Sequence, residues 1–506
     1  MTLLSRVLGF VRDQTLAIAF GAGTAMDVFL VAFKIPNFLR RLFGEGAFAQ
    51  AFVPVFTEYR ETRSRQALVE LAAHVSGTFI VVLLVVSTLG VATSPLLVML
   101  FAPGFSDDPA RYALAVHMLR ITFPYLFFVC LIAYAGSMLN TFGRFAVPSF
   151  TPVLLNVSLI GAAVLLAPRM EVPIVALAWG VLGAGIAQLA LQLPFLARLG
   201  LLPRPRWGRH HEGVKRIMKL MAPAVLGSSV AQINLLLDTV IASFLVAGSL
   251  SWLYYGDRLM EFPLGLLGVT LGTVILPRLA RGHSLEGDRD FRATLDWALR
   301  LVTVLGLPAA AGLAVLAEPL VATLFGYGEF APEDIRMTAF ALIAYAAGLP
   351  AFLAIKVLAP AFFARQDTKT PVRIGIVALV SNMAYNLVLV VPMVQLGFAA
   401  PHVGLALATT LSAWQQAITL YVTLGRRGIY HAPPALVGFA ARTLPALAVM
   451  TLLLVALEHA DWHPDWHVLD AGDRVLLLLG TIVASVAAWI VALAAGGVRP
   501  RQLASP

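Results

Sequence analysis

The 506-residue sequence predicts an all-α polytopic membrane protein of about fourteen transmembrane helices, arranged as two six-helix lobes related by a pseudo-two-fold along the membrane normal plus two C-terminal helices. Three observations predict it. Hydrophobic residues make up 59% of the chain and charged residues only 12%, where globular chains carry about 25% charged; the mean hydropathy is +0.85. Apolar runs long enough to cross a hydrocarbon core of about 30 Å recur from end to end. The prolines at positions 36, 54, 124 and 152 return at 263, 277, 350 and 371 with nearly constant separation. A water-soluble surface cannot be assembled from this composition, which excludes a soluble enzyme, and the many runs exclude a single-pass receptor.

The first run, residues 1–20, is interrupted by Arg6, Arg12 and Asp13, so it lacks the clean apolar core of a removable signal peptide. The second, 25–55, carries Asp27, Lys34, Arg40, Arg41 and Glu45, and bends are expected at Pro36 and at Gly44-Glu45-Gly46. Runs 70–101 and 112–139 follow; the single cysteine, Cys130, reads as a packed helix residue and leaves no disulfide framework or Cys-based metal site. Runs 147–168 and 173–197 close the first half. In the latter, Gly180, Gly183 and Gly185 follow no soluble strand, so they mark close helix packing and not a dinucleotide site. Residues 201–211 are basic and proline-rich and read as a cytoplasmic tether with polybasic lipid contact. The second half spans 216–246, 251–279, 294–325, 336–364, 371–396 and 402–425, with a further bend expected at Glu261-Phe262-Pro263. Runs 434–457 and 474–497 are an appendix. Between them His459, His463 and His467 alternate with Asp461 and Asp465, which reads as a short outer loop with Trp462 and Trp466 at the interface in preference to a metal site.

Connections after even-numbered runs carry the basic residues, among them Arg60, Arg63, Arg204, Arg206, Arg209, Lys215, Arg278, Arg365, Arg426 and Arg427; those after odd-numbered runs carry only Arg111, Arg169, Arg336 and Arg474. The positive-inside rule therefore puts both termini in the cytoplasm, as an even span count requires. The net charge of +9 is explained by these loops facing anionic lipid, with no nucleic-acid partner. Local text supports the duplication: Phe142-Gly143-Arg144 leading to Thr151-Pro152 resembles Phe363-Ala364-Arg365 leading to Thr370-Pro371. The expected organisation is an N-lobe over 1–200, a cytoplasmic linker over 201–215, a C-lobe over 216–428, and the last two spans with a cytoplasmic tail over 429–506. In the same register Pro223 falls opposite a position just before Met1, so the natural start is expected upstream.

Basic residues fall inside the runs at Arg6, Arg12, Lys34, Arg40, Arg41, Arg120, Arg258, Arg300, Lys356 and Arg442. A central one costs at least about 2.5–3.5 kcal/mol unless it meets water or a partner, so the cluster implies an aqueous cavity or an anionic ligand. The excess is positive near Arg6, Arg12 and Arg40, and guanidinium forks suit a phosphate or diphosphate. Internal pairing is the alternative, for example Arg12 with Asp27 across spans or Arg258 with Glu261 at i, i+3. Arg120, Arg300 and Arg442 read as snorkelling or structural residues.

Four segments carry a family resemblance: Ser5-Arg-Val-Leu-Gly-Phe-Val-Arg-Asp13, Phe33-Lys-Ile-Pro-Asn-Phe-Leu-Arg-Arg41, Gly44-Glu-Gly-Ala-Phe-Ala-Gln-Ala-Phe-Val-Pro54 and Tyr254-Tyr-Gly-Asp-Arg-Leu-Met-Glu-Phe-Pro263. With Lys356-Val-Leu-Ala-Pro360 and Arg365-Gln-Asp-Thr-Lys-Thr-Pro371, they closely resemble the MurJ (MviN) lipid II flippases. The resemblance implies the fold of the multidrug/oligosaccharidyl-lipid/polysaccharide flippase superfamily, with spans 13 and 14 forming a groove for a polyprenyl tail. It implies that Arg6, Arg12, Arg40 and Arg258 line a cavity and engage the diphosphate of lipid II, with Asp27 and Glu261 nearby; Asn37, Glu45, Asp257 and Lys356 complete the expected substrate-binding set. Alternating access would carry the headgroup across.

No cofactor is expected beyond a sodium ion, whose site the resemblance implies in some members between spans 7, 11 and 12; Asp238, Asn382, Asn386 and Thr410 occupy suitable spans, against an alternative of interhelical hydrogen bonding. No Gly-x-x-x-x-Gly-Lys-Ser/Thr loop is present for ATP hydrolysis. The reading is a lipid II flippase of the bacterial cytoplasmic (inner) membrane and not an enzyme, with lipid II, membrane lipids and cell-wall synthesis proteins as partners. A related exporter of drugs or other polyprenyl-linked sugars is the nearest rival. A membrane glycosyltransferase is the rival from another class, and it would want a catalytic carboxylate in a substantial outer loop.

Overall fold

The computed structural model describes residues 2–41, 47–202, 204–281, 288–460, 466 and 469–499. Among the described residues the regular structure is helical throughout, as a chain in hydrocarbon requires if each segment is to satisfy its own backbone. The helices are α1 (Thr2–Phe20), α2 (Thr24–Arg40), α3 (Ala47–Thr62), α4 (Arg65–Ala92), α5 (Ser94–Phe101), α6 (Pro109–Thr122), α7 (Tyr125–Thr141), α8 (Ala146–Gly161), α9 (Val175–Arg198) and α10 (Glu212–Ser243). They continue as α11 (Ser249–Arg281), α12 (Asp288–Leu301), α13 (Leu307–Val315), α14 (Ala317–Phe325), α15 (Pro332–Ala346), α16 (Leu349–Phe363), α17 (Lys369–Gln395), α18 (Val403–Arg426), α19 (Pro434–Glu458) and α20 (Ala471–Ala495). Every expected run lies on one helix or a broken series. Among the described residues nine helical segments are long and apolar enough to cross a membrane. The remaining runs fall on α1, α2–α3, α10, α11 and α18, and α1, α2 and α11 carry most of the expected site charges, with Lys356 on α16 and Asp238 on α10.

Proline sets the breaks. The fourth run divides into α6 and α7 at Phe123-Pro124, and the tenth into α15 and α16 just before Pro350, at matching places of the repeat. Pro36 has no N–H to give to the carbonyl of Ala32, and Thr122 of α6 donates its hydroxyl to that oxygen at 2.8 Å. The helix α11 runs through Glu261-Phe262-Pro263 without a break, as α2 does through Pro36. The ninth run follows one helical segment, Arg289–Val315, which carries a π turn at Val302–Gly306, and ends on the separate helix α14. Gly44-Glu45-Gly46 lies outside the described residues, as do His463 and His467.

The chain forms two compact units, Met1–Ser251 and Trp252–Pro506. The first unit extends beyond residue 200 and includes α10, which packs on α3. Its core is aromatic: Phe48, Phe52 and Phe56 share one face of α3 at four-residue spacing and stack at 5.1 and 4.9 Å. Tyr134 of α7 meets Phe52 edge-on at 5.2 Å and donates its hydroxyl to the Ala72 carbonyl at 2.9 Å. Aromatic pairs of this kind add about 0.5–1.5 kcal/mol beyond their area burial. Two of the three glycines of α9 mark close packing as expected, since a Cβ at Gly180 would lie 2.7 Å from the Ala162 Cβ and one at Gly185 2.9 Å from the Tyr125 ring, whereas one at Gly183 would meet only the Ser158 hydroxyl at 3.7 Å.

Residues 204–211 form a strap docked along α4. The Arg206 N–H donates to the Ala73 carbonyl at 2.9 Å, and the Gly208 N–H to the Thr78 hydroxyl at 3.1 Å. Gly77 permits the approach: a Cβ there would sit 2.2 Å from the Arg206 carbonyl oxygen. In the second unit, Gly256 of α11 lies against Ala341 and Leu342 of α15, α17 pairs with α18, and α19 with α20. Arg474, expected in an outer connection, is only 7% exposed and donates to the carbonyls of Ala322 and Gly326, each at 3.0 Å, closing the C-terminus of α14.

Candidate binding site

In the first unit the site residues lie on α1 and α2. Arg12 is 9% exposed and Asp13 is fully buried. Adjacent helix residues do not normally face one another, yet the Arg12 stem folds so that Nε and Nη2 both donate to Asp13 Oδ1, at 2.9 and 2.5 Å. Its Nη1 donates to Asn156 Oδ1 of α8 at 3.1 Å, and Asn156 Nδ2 donates to the Ser5 carbonyl at 3.1 Å. This scaffold meets part of the desolvation cost of an interior guanidinium. Arg6 stands exposed on the same helix.

On α2, Asn37 donates Nδ2 to the Phe33 carbonyl at 3.0 Å and accepts from Arg40 Nε at 3.0 Å. Asn37 is therefore a positioning residue, fixing the Arg40 guanidinium from its own helix. Lys34 Nζ donates to the Thr239 hydroxyl of α10 at 3.3 Å.

Asp27 is fully buried. Its Oδ2 accepts from the Gly248 N–H at 2.8 Å and Arg111 Nη2 at 3.1 Å; its Oδ1 accepts from the Ser251 N–H at 2.9 Å and the Ser251 hydroxyl at 2.7 Å. Four donors from the unit itself occupy both oxygens, so the carboxylate pins the α10–α11 turn and α6 onto α2. The pairing of Arg12 with Asp27 considered from sequence is replaced by two separate pairs, Arg12–Asp13 and Arg111–Asp27. Arg111, 9% exposed, also covers the Phe105 ring at 3.8 Å. Hydropathy assigned Arg111 to a connection, and nothing in its local sequence shows that it turns inward. Asn156 was legible only as a lone amide in an apolar run.

In the second unit Arg258 Nη1 donates to Glu261 Oε2 at 3.0 Å, the i, i+3 pair foreseen as the alternative. Asp257 is half-buried beside it. Lys356 of α16 lies across α11, where a Cβ on Gly268 would be 2.6 Å from the Lys356 Cδ. Glu45 falls outside the described residues. Of the residues weighed for sodium, Asp238 is half-buried on α10 in the first unit. The other three belong to the second: Asn386 Nδ2 donates to Asn382 Oδ1 at 3.2 Å on one face of α17, and Thr410 of α18 donates its hydroxyl to the Ala344 carbonyl at 2.7 Å.

A many-span helical protein that keeps interior guanidinium groups in built settings belongs to the class of polytopic membrane transporters, able to hold an anionic group at membrane depth. The family model for lipid II flippase MurJ matches residues 16–472. The chain is 48% identical to the probable lipid II flippase MurJ of Vibrio cholerae, over 99% of this chain and 95% of that one. It is 42% identical to the lipid II flippase MurJ of Burkholderia cenocepacia, over 95% and 93%. Among solved structures, a lipid II flippase MurJ in an inward closed conformation matches with a TM-score of 0.79 at 25% identity, over 97% of this chain and 96% of that one. An inward-facing multidrug resistance MATE family transporter of the MOP superfamily shares the fold alone, with a TM-score of 0.66 at 14% identity, over 85% and 95%. The chain belongs to the MurJ lipid II flippase family.

Proposed function

We propose that this chain is a lipid II flippase, moving the undecaprenyl-diphosphate-linked peptidoglycan precursor from the inner to the outer leaflet of the cytoplasmic membrane by alternating access. The observation that carries the reading is family membership along nearly the whole chain, joined to guanidinium groups kept on α1, α2 and α11 of an otherwise apolar protein. Arg6, Arg12, Arg40 and Arg258 bind the diphosphate by charge-assisted hydrogen bonds; Asn37 aims Arg40, Lys356 adds charge, and Glu45, Asp257 and Glu261 tune the cationic set. Asp27 serves this site as a structural clasp. Both termini lie in the cytoplasm, and the N-lobe and C-lobe boundaries follow the duplication. No bond of the lipid is made or broken, so the protein is a transporter and not an enzyme; proteins of cell-wall synthesis are the partners that role calls for.

A membrane potential acting on the charges of α1, α2 and α11 would supply about 2.3 kcal/mol per charge per 100 mV to the cycle, and a sodium gradient is the other source. Asp238, Asn382, Asn386 and Thr410 supply the hard oxygen donors that suit a coupling sodium ion. Sodium, and not potassium, should raise the melting temperature of the purified protein, and Asp238→Asn should remove the difference; an equal effect of both ions overturns the sodium site.

Native mass spectrometry of purified protein tests the function, with lipid II competing against undecaprenyl phosphate and a cationic drug. Wild type should retain lipid II selectively, and Arg40→Ala should lose that selectivity while its melting temperature is unchanged. Preference for the drug would favour an exporter, and polymer made from lipid II by the protein alone would establish a glycosyltransferase.

A further inference from the structure

The docked strap creates a groove in the first unit that the transport reading does not use. Its volume is about 510 Å³, and its walls are Thr78 and Val82 of α4, Trp207 and Arg209 of the strap, and Val214, Lys215 and Met218 of α10; the Thr78 hydroxyl already accepts from the Gly208 N–H. Trp207 is 54% exposed, Met218 50% and Val82 41%. From Val82 the groove opens onto a lipid-facing strip of α4 made by Val81, Val85 and Leu89, which share one face at four-residue spacing and are all exposed. The basic walls of the groove are Arg209 and Lys215, both exposed. The neighbouring carboxylates are already engaged, Glu58 by Arg216 at 2.8 Å and Glu212 by Arg63 at 3.8 Å. Among the described residues, Arg209 and Lys215 have no carboxylate partner.

We propose that this groove binds one anionic glycerophospholipid of the cytoplasmic leaflet, its phosphate between Arg209 and Lys215 and an acyl chain along Val82 and the exposed face of α4. The charge pattern selects the occupant: cations in the basic walls match a phosphate, and the apolar strip matches a hydrocarbon chain already in the bilayer. A tryptophan at the junction of the two suits the headgroup depth, where its apolar ring and N–H meet different surroundings. The walls offer few polar partners for the sugars and peptide of a precursor lipid. Gly77 and Gly208 make the site by letting the strap backbone lie close on α4 beside His74, so that Trp207 and Arg209 stand over the gap between α4 and α10. The bound lipid thereby joins strap, α4 and α10 at the membrane surface.

Native mass spectrometry of the full-length protein, titrated with phosphatidylglycerol and phosphatidylcholine of the same acyl chains, tests this. Wild type should retain one phosphatidylglycerol in preference to phosphatidylcholine. Arg209→Gln with Lys215→Gln should weaken that retention by about tenfold or more, whereas Arg373→Gln with Arg426→Gln, which removes the same charge elsewhere, should leave it intact. Equal retention of the two lipids, or equal loss in both double variants, overturns the proposal. A photo-crosslinking residue at Val82, in a protein with all its arginines and lysines, should form an adduct with phosphatidylglycerol that excess lipid II does not suppress. No adduct, or suppression by lipid II, also overturns it, whatever the fate of the flippase assignment.

Discussion

At the scale of single residues, the Asp27 clasp is the sharpest case. Removing one partner of a buried ion pair strands the other, at a cost of about 3–5 kcal/mol, and Asp27→Ala also deprives the Gly248 and Ser251 N–H groups of their acceptor. The purified variant should therefore melt well below wild type, while Asp27→Ala with Arg111→Met should recover part of the loss, because no uncompensated guanidinium remains. Additive losses in this double-mutant cycle would show that the pair is not coupled. Sequence reading identified Asp27 as an interior charge but could not name its partner, which lies 84 residues away in a segment that hydropathy left outside the membrane. It foresaw the Arg258–Glu261 pair because both groups sit on one helix face, where spacing alone brings them together.

Among elements, the strap and the loop before α17 carry the clearest predictions. A side chain at position 77 would collide with the Arg206 backbone, so Gly77→Leu should release residues 204–211 and make them cleavable by trypsin, with a wild-type cleavage pattern elsewhere. In the second loop Asp367 accepts from the Thr370 N–H at 3.0 Å and from Arg427 Nη1 at 2.5 Å, and the Thr370 and Arg427 contacts hold its carboxyl down from 3.8 to about 2. Because folding lowers this value, the clamp contributes fully above pH 3.8 and its contribution is lost as the pH falls through about 2. Asp367→Asn should accordingly lower the melting temperature slightly at pH 7, as exposed pairs do, and bring the two proteins together near pH 2. Helix positions were legible because apolar length and proline dictate them. The strap was not, because its docking depends on one glycine of another helix and on hydrogen bonds to backbone groups that no side-chain pattern records.

For the whole molecule, the repeat and the charge of the connections make a topological prediction. On a Cys130→Ser background, a cysteine placed at Ser284 should resist a membrane-impermeant maleimide added to intact cells, and one at Asp461 should react. Labelling of the first and protection of the second would reverse the orientation. Fold class and family were legible across the chain, since composition, prolines and long motifs act independently of packing. The setting of the cationic set was less so, since Arg12 depends on Asn156 of a distant helix.

Arg474 gives the C-terminal pair of helices a second meaning. Its guanidinium serves the open end of α14, so cutting the gene after α18 would also take the donor from the Gly326 carbonyl and leave the Ala322 carbonyl with the Gly326 N–H alone. A shortened protein that failed to support growth would not reveal whether the missing helices handle lipid, because a distant part of the remaining bundle would have lost its cap. A full-length Arg474→Gln control is needed before such a truncation is interpreted, and a gene trimmed by evolution would first have to provide α14 with another donor.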